Sequence, residues 1–160
     1  MAAREHLMGE LATVSRRYMA SYALFNQAVA DHLNLHPTDL QCVNLLSLED
    51  GPVTIGRIGE LTGLTTGSAT RLVDRLERAG YVVRERDAAD RRRVLVAVVP
   101  EKMAEFGRMW DRLGGGWFAL FDGLEEEELA LIIGHMRRTV EFTGEQIARL
   151  RGGGLQGAES

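Results

Sequence analysis

Residues 55–99 read IGRIGELTGLTTGSATRLVDRLERAGYVVRERDAADRRRVLVAVV, and the hydrophobic period changes inside this stretch from helical to alternating. Thr54 precedes a short apolar helix, Ile55 to Leu61, which Gly63 ends. Thr65 caps the next helix, Thr66 to Ala79, which closes on Gly80. After Gly80 the period becomes two. Tyr81 to Arg86 and Val94 to Val99 read as strands, joined by a seven-residue polar loop, Asp87 to Arg93, dense in arginine.

Towards the N-terminus, Leu7, Leu11, Val14, Tyr18, Tyr22, Phe25, Val29 and Leu33 recur at steps of three and four, one stripe of a long helix over residues 4–33. A helix of that length spans roughly 45 Å, more than a small lobe needs for itself, so part of the stripe is expected to face another chain. His36-Pro37-Thr38-Asp39 opens a second helix, with proline at the first helical position and Asp39 in the positively poled first turn. It is predicted to run to about Leu48, where Glu49-Asp50-Gly51-Pro52 stops it. Towards the C-terminus, Pro100 begins a helix that reaches Gly114-Gly115-Gly116 and continues through Trp117 and Phe118 to Phe121. The last helix starts near Leu124 with Glu125 to Glu128 on its positive end. Its stripe is Leu129, Ile132, Ile133, Met136, Val140, Ile147 and Leu150. Residues 152–160 read as a flexible, glycine-rich tail.

The chain has 160 residues, 45% hydrophobic and 26% charged, enough to bury a core and too apolar for disorder. The longest stretch without Asp, Glu, Lys or Arg, Tyr18 to Ala30, falls short of the ~20 apolar residues of a membrane span. The charged start MAAREHLMGE lacks an apolar signal core, and a single cysteine excludes a disulfide framework within one chain. The expectation is a soluble cytoplasmic protein. Its net charge of −4 hides a segregation: Arg57 to Arg93 holds nine arginines against six acids, leaving ten basic and seventeen acidic residues elsewhere. Such asymmetry points to a polyanion-binding module on an acidic body, although ordinary solvated charge would look similar.

Short helix, tight turn, helix and two-stranded hairpin make the winged helix-turn-helix plan. The fold class is mainly α with a small β-hairpin wing: a winged-helix lobe over 35–99 and dimerisation helices over 4–33 and 101–150, within a single domain, 1–151. The segments LTTGSATRLVDRLERAGYV and DRRRVLV resemble the recognition helix and wing of the MarR family of bacterial transcription regulators. The resemblance extends more loosely to both ends, because that family also has a long first helix and two long C-terminal helices. It implies a homodimer binding a pseudo-palindromic site on double-stranded DNA, a ligand-responsive repressor in most such cases, and no cofactor.

A recognition helix enters the major groove with its N-terminal residues toward base edges. Ala69, Leu72, Val73 and Leu76 sit at core-facing spacing. Thr66, Ser68, Thr70 and Arg71 remain for the outward face, with Arg75 one turn further on. Thr65, Thr66 and Ser68 also suit plain helix capping. Gly67 supplies no side chain inside this helix, so either the backbone approaches DNA closely there or base contact shifts to later residues. In the wing, Arg86, Asp90, Arg91, Arg92 and Arg93 concentrate charge at a hairpin tip, the shape of an arm that enters the minor groove. The family's Asp-x-Arg pattern, carried over, makes Asp90 the brace and Arg92 the inserted residue, with Arg86 beside them.

No phosphate-binding glycine loop, GxSxG, HExxH or CxxC occurs, so no enzyme is expected. The four histidines do not cluster, Pro37 breaks the His32–His36 helical spacing, and no metal site is expected. Cys42, between Leu40 and Val43, reads as a buried small hydrophobe. The family's peroxide-sensing branch carries its cysteine in the first helix, and this chain has none there. The resemblance further implies an effector cleft between stem and lobe, for which Tyr18, Tyr22, Phe25, His32, Cys42 and Trp110 are the candidates and a small aromatic molecule the partner; aromatics at helical spacing also suit plain core. The rival reading is a winged helix used for dimerisation or protein contact without DNA binding, which leaves the wing arginines without a role.

Overall fold

The computed structural model describes residues 2–152, with side chains for all but residues 2 and 114–117. The elements are α1 (Ala2–His32), α2 (Pro37–Leu46), β1 (Val53–Thr54), α3 (Ile55–Thr62), α4 (Thr66–Arg78), β2 (Val82–Arg86), β3 (Val94–Val98), α5 (Pro100–Ala119) and α6 (Glu126–Arg151). Of the expected tail, residues 153–160 lie outside the described residues. No described helix is long and apolar enough to cross a membrane.

The helix starts follow the local chemistry of the sequence. Thr54 Oγ1 accepts from Arg57 N–H at the start of α3, and Thr65 Oγ1 from Ser68 N–H at the start of α4. His36 caps α2 through Nδ1, which accepts from Thr38 N–H, and Pro37 follows as the first helical residue. Gly63 and Gly80 both adopt positive φ, the conformation that lets each helix stop and the chain turn back. α2 ends two residues before the expected Leu48. Leu48 is 79% exposed and has no core to extend the helix over, and its N–H closes a tighter turn onto Leu45.

The sheet has three strands in the order β1-β3-β2, all antiparallel. The hairpin is expected from the sequence; β1 is not. Val53 pairs with Val96 and Thr54 with Leu95, a two-residue pairing too short to leave a period in the sequence. β2 pairs from Val82↔Val98 to Arg86↔Val94 and forms an edge of the sheet.

The chain divides after Arg108, within α5, into two compact units. The first unit has a dry centre built from Leu40, Val43, Ile58, Leu72, Val73, Leu76, Val82 and Val96, each at most 1% exposed. Full burial of one such side chain stabilises by about 1.5–3 kcal/mol, so α2, α3, α4 and the sheet form the rigid body of the lobe. Most of α1 takes no part in that centre. Val29 is buried, while Leu7, Leu11, Val14, Tyr18 and Tyr22 are each at least half exposed.

In the second unit, the backbone of α5 remains helical through residues 114–116 and ends at Ala119 rather than Phe121. α6 begins after Glu125, whose N–H donates to the Glu128 carboxylate, and three further glutamates fill its first turn. No described residue of α6 is buried, and Ile133, Met136, Val140, Ile147 and Leu150 lie open along one face.

Candidate nucleic-acid interface

The site is built on α4 and on the β2–β3 hairpin. The apolar stripe Ala69, Leu72, Val73 and Leu76, fully buried, fastens one face of α4 to the lobe. The opposite face begins with Thr65, the N-cap, whose hydroxyl also donates to Ser68 Oγ. Thr66 and Gly67 are exposed, and Thr70 Oγ1 donates back to the Thr66 carbonyl at 2.8 Å. The Arg71 guanidinium is exposed and touches Ser68 Oγ at 3.2 Å. Thr66, Ser68, Thr70 and Arg71 therefore sit together at the N-terminal half of the helix, as expected. The hydroxyls of Thr65 and Thr70 are already engaged in local helix bonds.

Arg75 reaches α2, where Nε and Nη2 donate to the two oxygens of Asp39 at 2.7 and 2.5 Å. Asp39 is 1% exposed, the one buried charged residue among those described. A buried carboxylate requires such a partner, and the two-pronged guanidinium supplies it. Arg75 thus anchors the recognition helix to α2 through one edge of its guanidinium, with the side chain still 41% exposed. Sequence inspection missed Asp39's role because a carboxylate at a helix start is already explained by the helix dipole.

The wing tip is shaped by its acids. Asp87 Oδ1 accepts from Ala89 N–H at 2.8 Å, and the Asp87 N–H donates to the Arg93 carbonyl. Asp90 Oδ1 accepts from the backbone N–H of Arg92 at 3.0 Å. Asp90 therefore braces the main chain at Arg92, leaving that residue's guanidinium unbound. Arg93 pairs with Asp87 at 3.7 Å, whereas Arg86, Arg91 and Arg92 are exposed with no ion-pair partner among the described residues.

Pairing sorts the nine arginines between positions 57 and 93. Arg57 pairs with Glu49 and Glu60, Arg75 with Asp39, Arg84 with Asp74 and Glu77, and Arg93 with Asp87. The Arg57 hydrogen bonds hold the Glu49 carboxyl below its ordinary range. Arg71, Arg78, Arg86, Arg91 and Arg92 keep their charge facing solvent. Two of this unpaired set lie on α4 and three at the wing, so within this segment the unpaired positive charge falls on those two elements.

The effector-cleft candidates divide. Tyr18, Tyr22 and Phe25 are exposed along α1, and His32 is exposed at its end. Cys42 lies inside the core at 1% exposure, and burial, with the negative Asp39 nearby, pushes its thiol up to about 12. That removes it as a polar handle in an open cleft. Trp110 belongs to α5 in the second unit. An open hollow of about 350 Å³ in the first unit is lined by His36, Asp39, Arg75 and Arg78 among others, and by none of the six candidates.

The sequence profile of the MarR family matches residues 33–93. Among curated sequences, the chain is 42% identical over 128 residues to YcgE of Bacillus subtilis (strain 168), an uncharacterized HTH-type transcriptional regulator, covering 80% of this chain and 82% of that one. Solved structures that share the fold include a MarR family protein from Bacillus stearothermophilus (TM-score 0.66, 21% identity, 87% of this chain and 96% of that one) and a MarR family transcriptional regulator from Silicibacter pomeroyi (TM-score 0.63, 23% identity, 84% and 90%).

Proposed function

This chain belongs to the MarR family of winged helix-turn-helix transcriptional regulators, a family of DNA-binding proteins rather than enzymes, and we propose that it acts as a homodimeric, ligand-responsive repressor. The carrying observation is the charge sorting between Arg57 and Arg93: four arginines of this segment are paired with acids, and the five unpaired ones stand on α4 and the wing. Thr66, Ser68, Thr70 and Arg71 read bases in the major groove, while Arg86, Arg91 and Arg92 enter the flanking minor groove. Charge unmatched by internal acids is what phosphates and a narrow groove attract.

Dimerisation is supported by the unburied apolar stripes of α1 and α6, since a monomer rarely leaves so much contiguous apolar surface in water. A two-fold dimer binds a pseudo-palindrome with half-site centres about 34–36 Å apart. Leu11, Val14, Ile132, Ile133 and Met136 are the proposed stem residues. The effector is a small aromatic compound held against Tyr18, Tyr22 and Phe25. It acts by binding one lobe arrangement better than the other, and a coupling of about 1–3 kcal/mol changes DNA affinity 5–150-fold.

Fluorescence anisotropy with genomic DNA fragments at two salt concentrations, alongside sedimentation at micromolar protein, tests this. Tight, salt-dependent, sequence-selective binding by a dimer is expected. Absence of binding by a stable dimer would instead identify a protein-interaction module, and a stable monomer would remove the stem assignment. Release of DNA by aromatic acids or phenols found in a thermal-shift screen tests the ligand response.

A further inference from the structure

β2 is an edge strand, and the backbone N–H of Arg84 turns away from β3 to donate to Glu77 Oε1 on α4 at 3.2 Å. The Arg84 side chain follows the same direction. Nη2 donates to Asp74 Oδ1 at 2.6 Å and Nη1 to Glu77 Oε2. Asp74 and Glu77 stand one turn apart on α4, so a single arginine and its own amide tie the wing strand to a full turn of the recognition helix. The Arg84 side chain is only 25% exposed, and both its acids are consumed by it, so its charge is not offered to DNA.

From this arrangement we propose that Arg84 is a positioning residue that sets the angle between recognition helix and wing, so that Arg71 and Arg92 reach their grooves together. The inference rests on the DNA-binding reading above. The hairpin leaves the lobe at Tyr81 and Val99, whose N–H···O bond closes its base at 2.9 Å, and its charged tip lies beyond Arg86. Apolar packing holds the base through Val82 and Val96, and along β2 no buried residue follows Arg84, where Glu85, Arg86 and the loop from Ala88 to Arg93 are exposed. On the β2 side of the hairpin the ion cluster is thus the outermost attachment before the tip, while β1 holds the β3 side as far as Leu95. Without it the wing keeps its strands but loses a fixed direction, and DNA binding must then restrict it at an entropic cost.

Two measurements on the full chain decide the matter, with Arg84→Met and Glu77→Ala as variants. Amide exchange on the free protein reads the clamp itself: Arg84 N–H is expected to exchange about tenfold faster in Glu77→Ala while buried amides of α4 keep their protection. DNA affinity reads the consequence: Arg84→Met is expected to weaken binding, and Arg92→Ala to cost at least about fivefold less in the Arg84→Met background than in wild type. An Arg92→Ala cost equal in both backgrounds, with unchanged Arg84 exchange, overturns the proposal. If the wild-type protein binds no DNA, the functional reading fails, and the exchange result alone judges the clamp. Should Arg84→Met fold poorly, Glu77→Gln, which retains an acceptor for the amide but not the charge, replaces it in the affinity comparison.

Discussion

Asp39 and Arg75 lie 36 residues apart in sequence and are joined by two hydrogen bonds of 2.5 and 2.7 Å across the α2–α4 interface. The carboxylate is buried and the guanidinium side chain is 41% exposed, so the pair is sealed from one side only. Arg75→Ala strands a buried charge and is expected to cost about 1–3 kcal/mol of folding stability, the exposed guanidinium keeping the loss below that of a fully enclosed pair. The double change Asp39→Leu with Arg75→Leu is expected to restore much of that loss, because no unpaired charge remains. Urea denaturation of the single and double variants checks this. Simple addition of the two single costs would show that the residues act independently.

The exposed arginines are expected to separate by function. Arg92→Ala leaves the melting temperature unchanged, weakens DNA binding across sequences, and lowers the slope of log affinity against log salt by about one. Arg71→Ala costs about 1–3 kcal/mol on the preferred sequence and much less on others. Anisotropy titrations over a salt series, on a selected site and on scrambled DNA, distinguish the two. An unaltered affinity for Arg92→Ala would remove the wing from the interface.

Gly67 lies in the first turn of α4, and a Cβ placed there meets nothing within 4 Å. Its φ is not positive, so the fold does not require glycine. Gly67→Ala is therefore expected to stabilise the free protein by about 0.4–1 kcal/mol through the restricted unfolded chain. The same variant is expected to bind DNA several-fold more weakly, because a methyl group would stand where the backbone meets the duplex. A higher melting temperature with unchanged affinity would instead move base contact to later residues of the helix.

Cys42 keeps its proton to about pH 12 in the folded chain, because burial first, and then the negative charge of Asp39, disfavour the thiolate; its ordinary value is 9.0. From about pH 9 upward the unfolded chain has lost this proton while the folded chain retains it. The folded state then binds more protons, and stability falls as pH rises through this window. Denaturant midpoints measured between pH 8 and 10 are expected to decline less steeply for Cys42→Ala than for wild type. At pH 8 a maleimide is expected to label Cys42 only as fast as the protein opens, a rate that denaturant raises.

The order of elements from Ile55 to Val99 was legible because caps, glycines and a change of period are local signals, each acting over three or four residues. Thr54, Thr65, Gly63 and Gly80 mark their helix boundaries by hydrogen bonds and φ values that depend on no distant residue. The grouping of Thr66, Ser68 and Arg71 on one face of α4 followed in the same way from helical spacing. What sequence could not assign was the partner of each charge. Arg75 and Arg71 look alike along the chain, yet one meets Asp39 from another helix and the other meets solvent. Arg84 looks like another basic residue of a basic segment until the hairpin folds back and places it between Asp74 and Glu77. β1 likewise exists only because β3 offers Val53 and Thr54 an edge to pair with. Ion pairing and strand pairing are contacts between segments, so their energy depends on distances that only the folded chain defines, whereas capping and periodicity are properties of the segment itself.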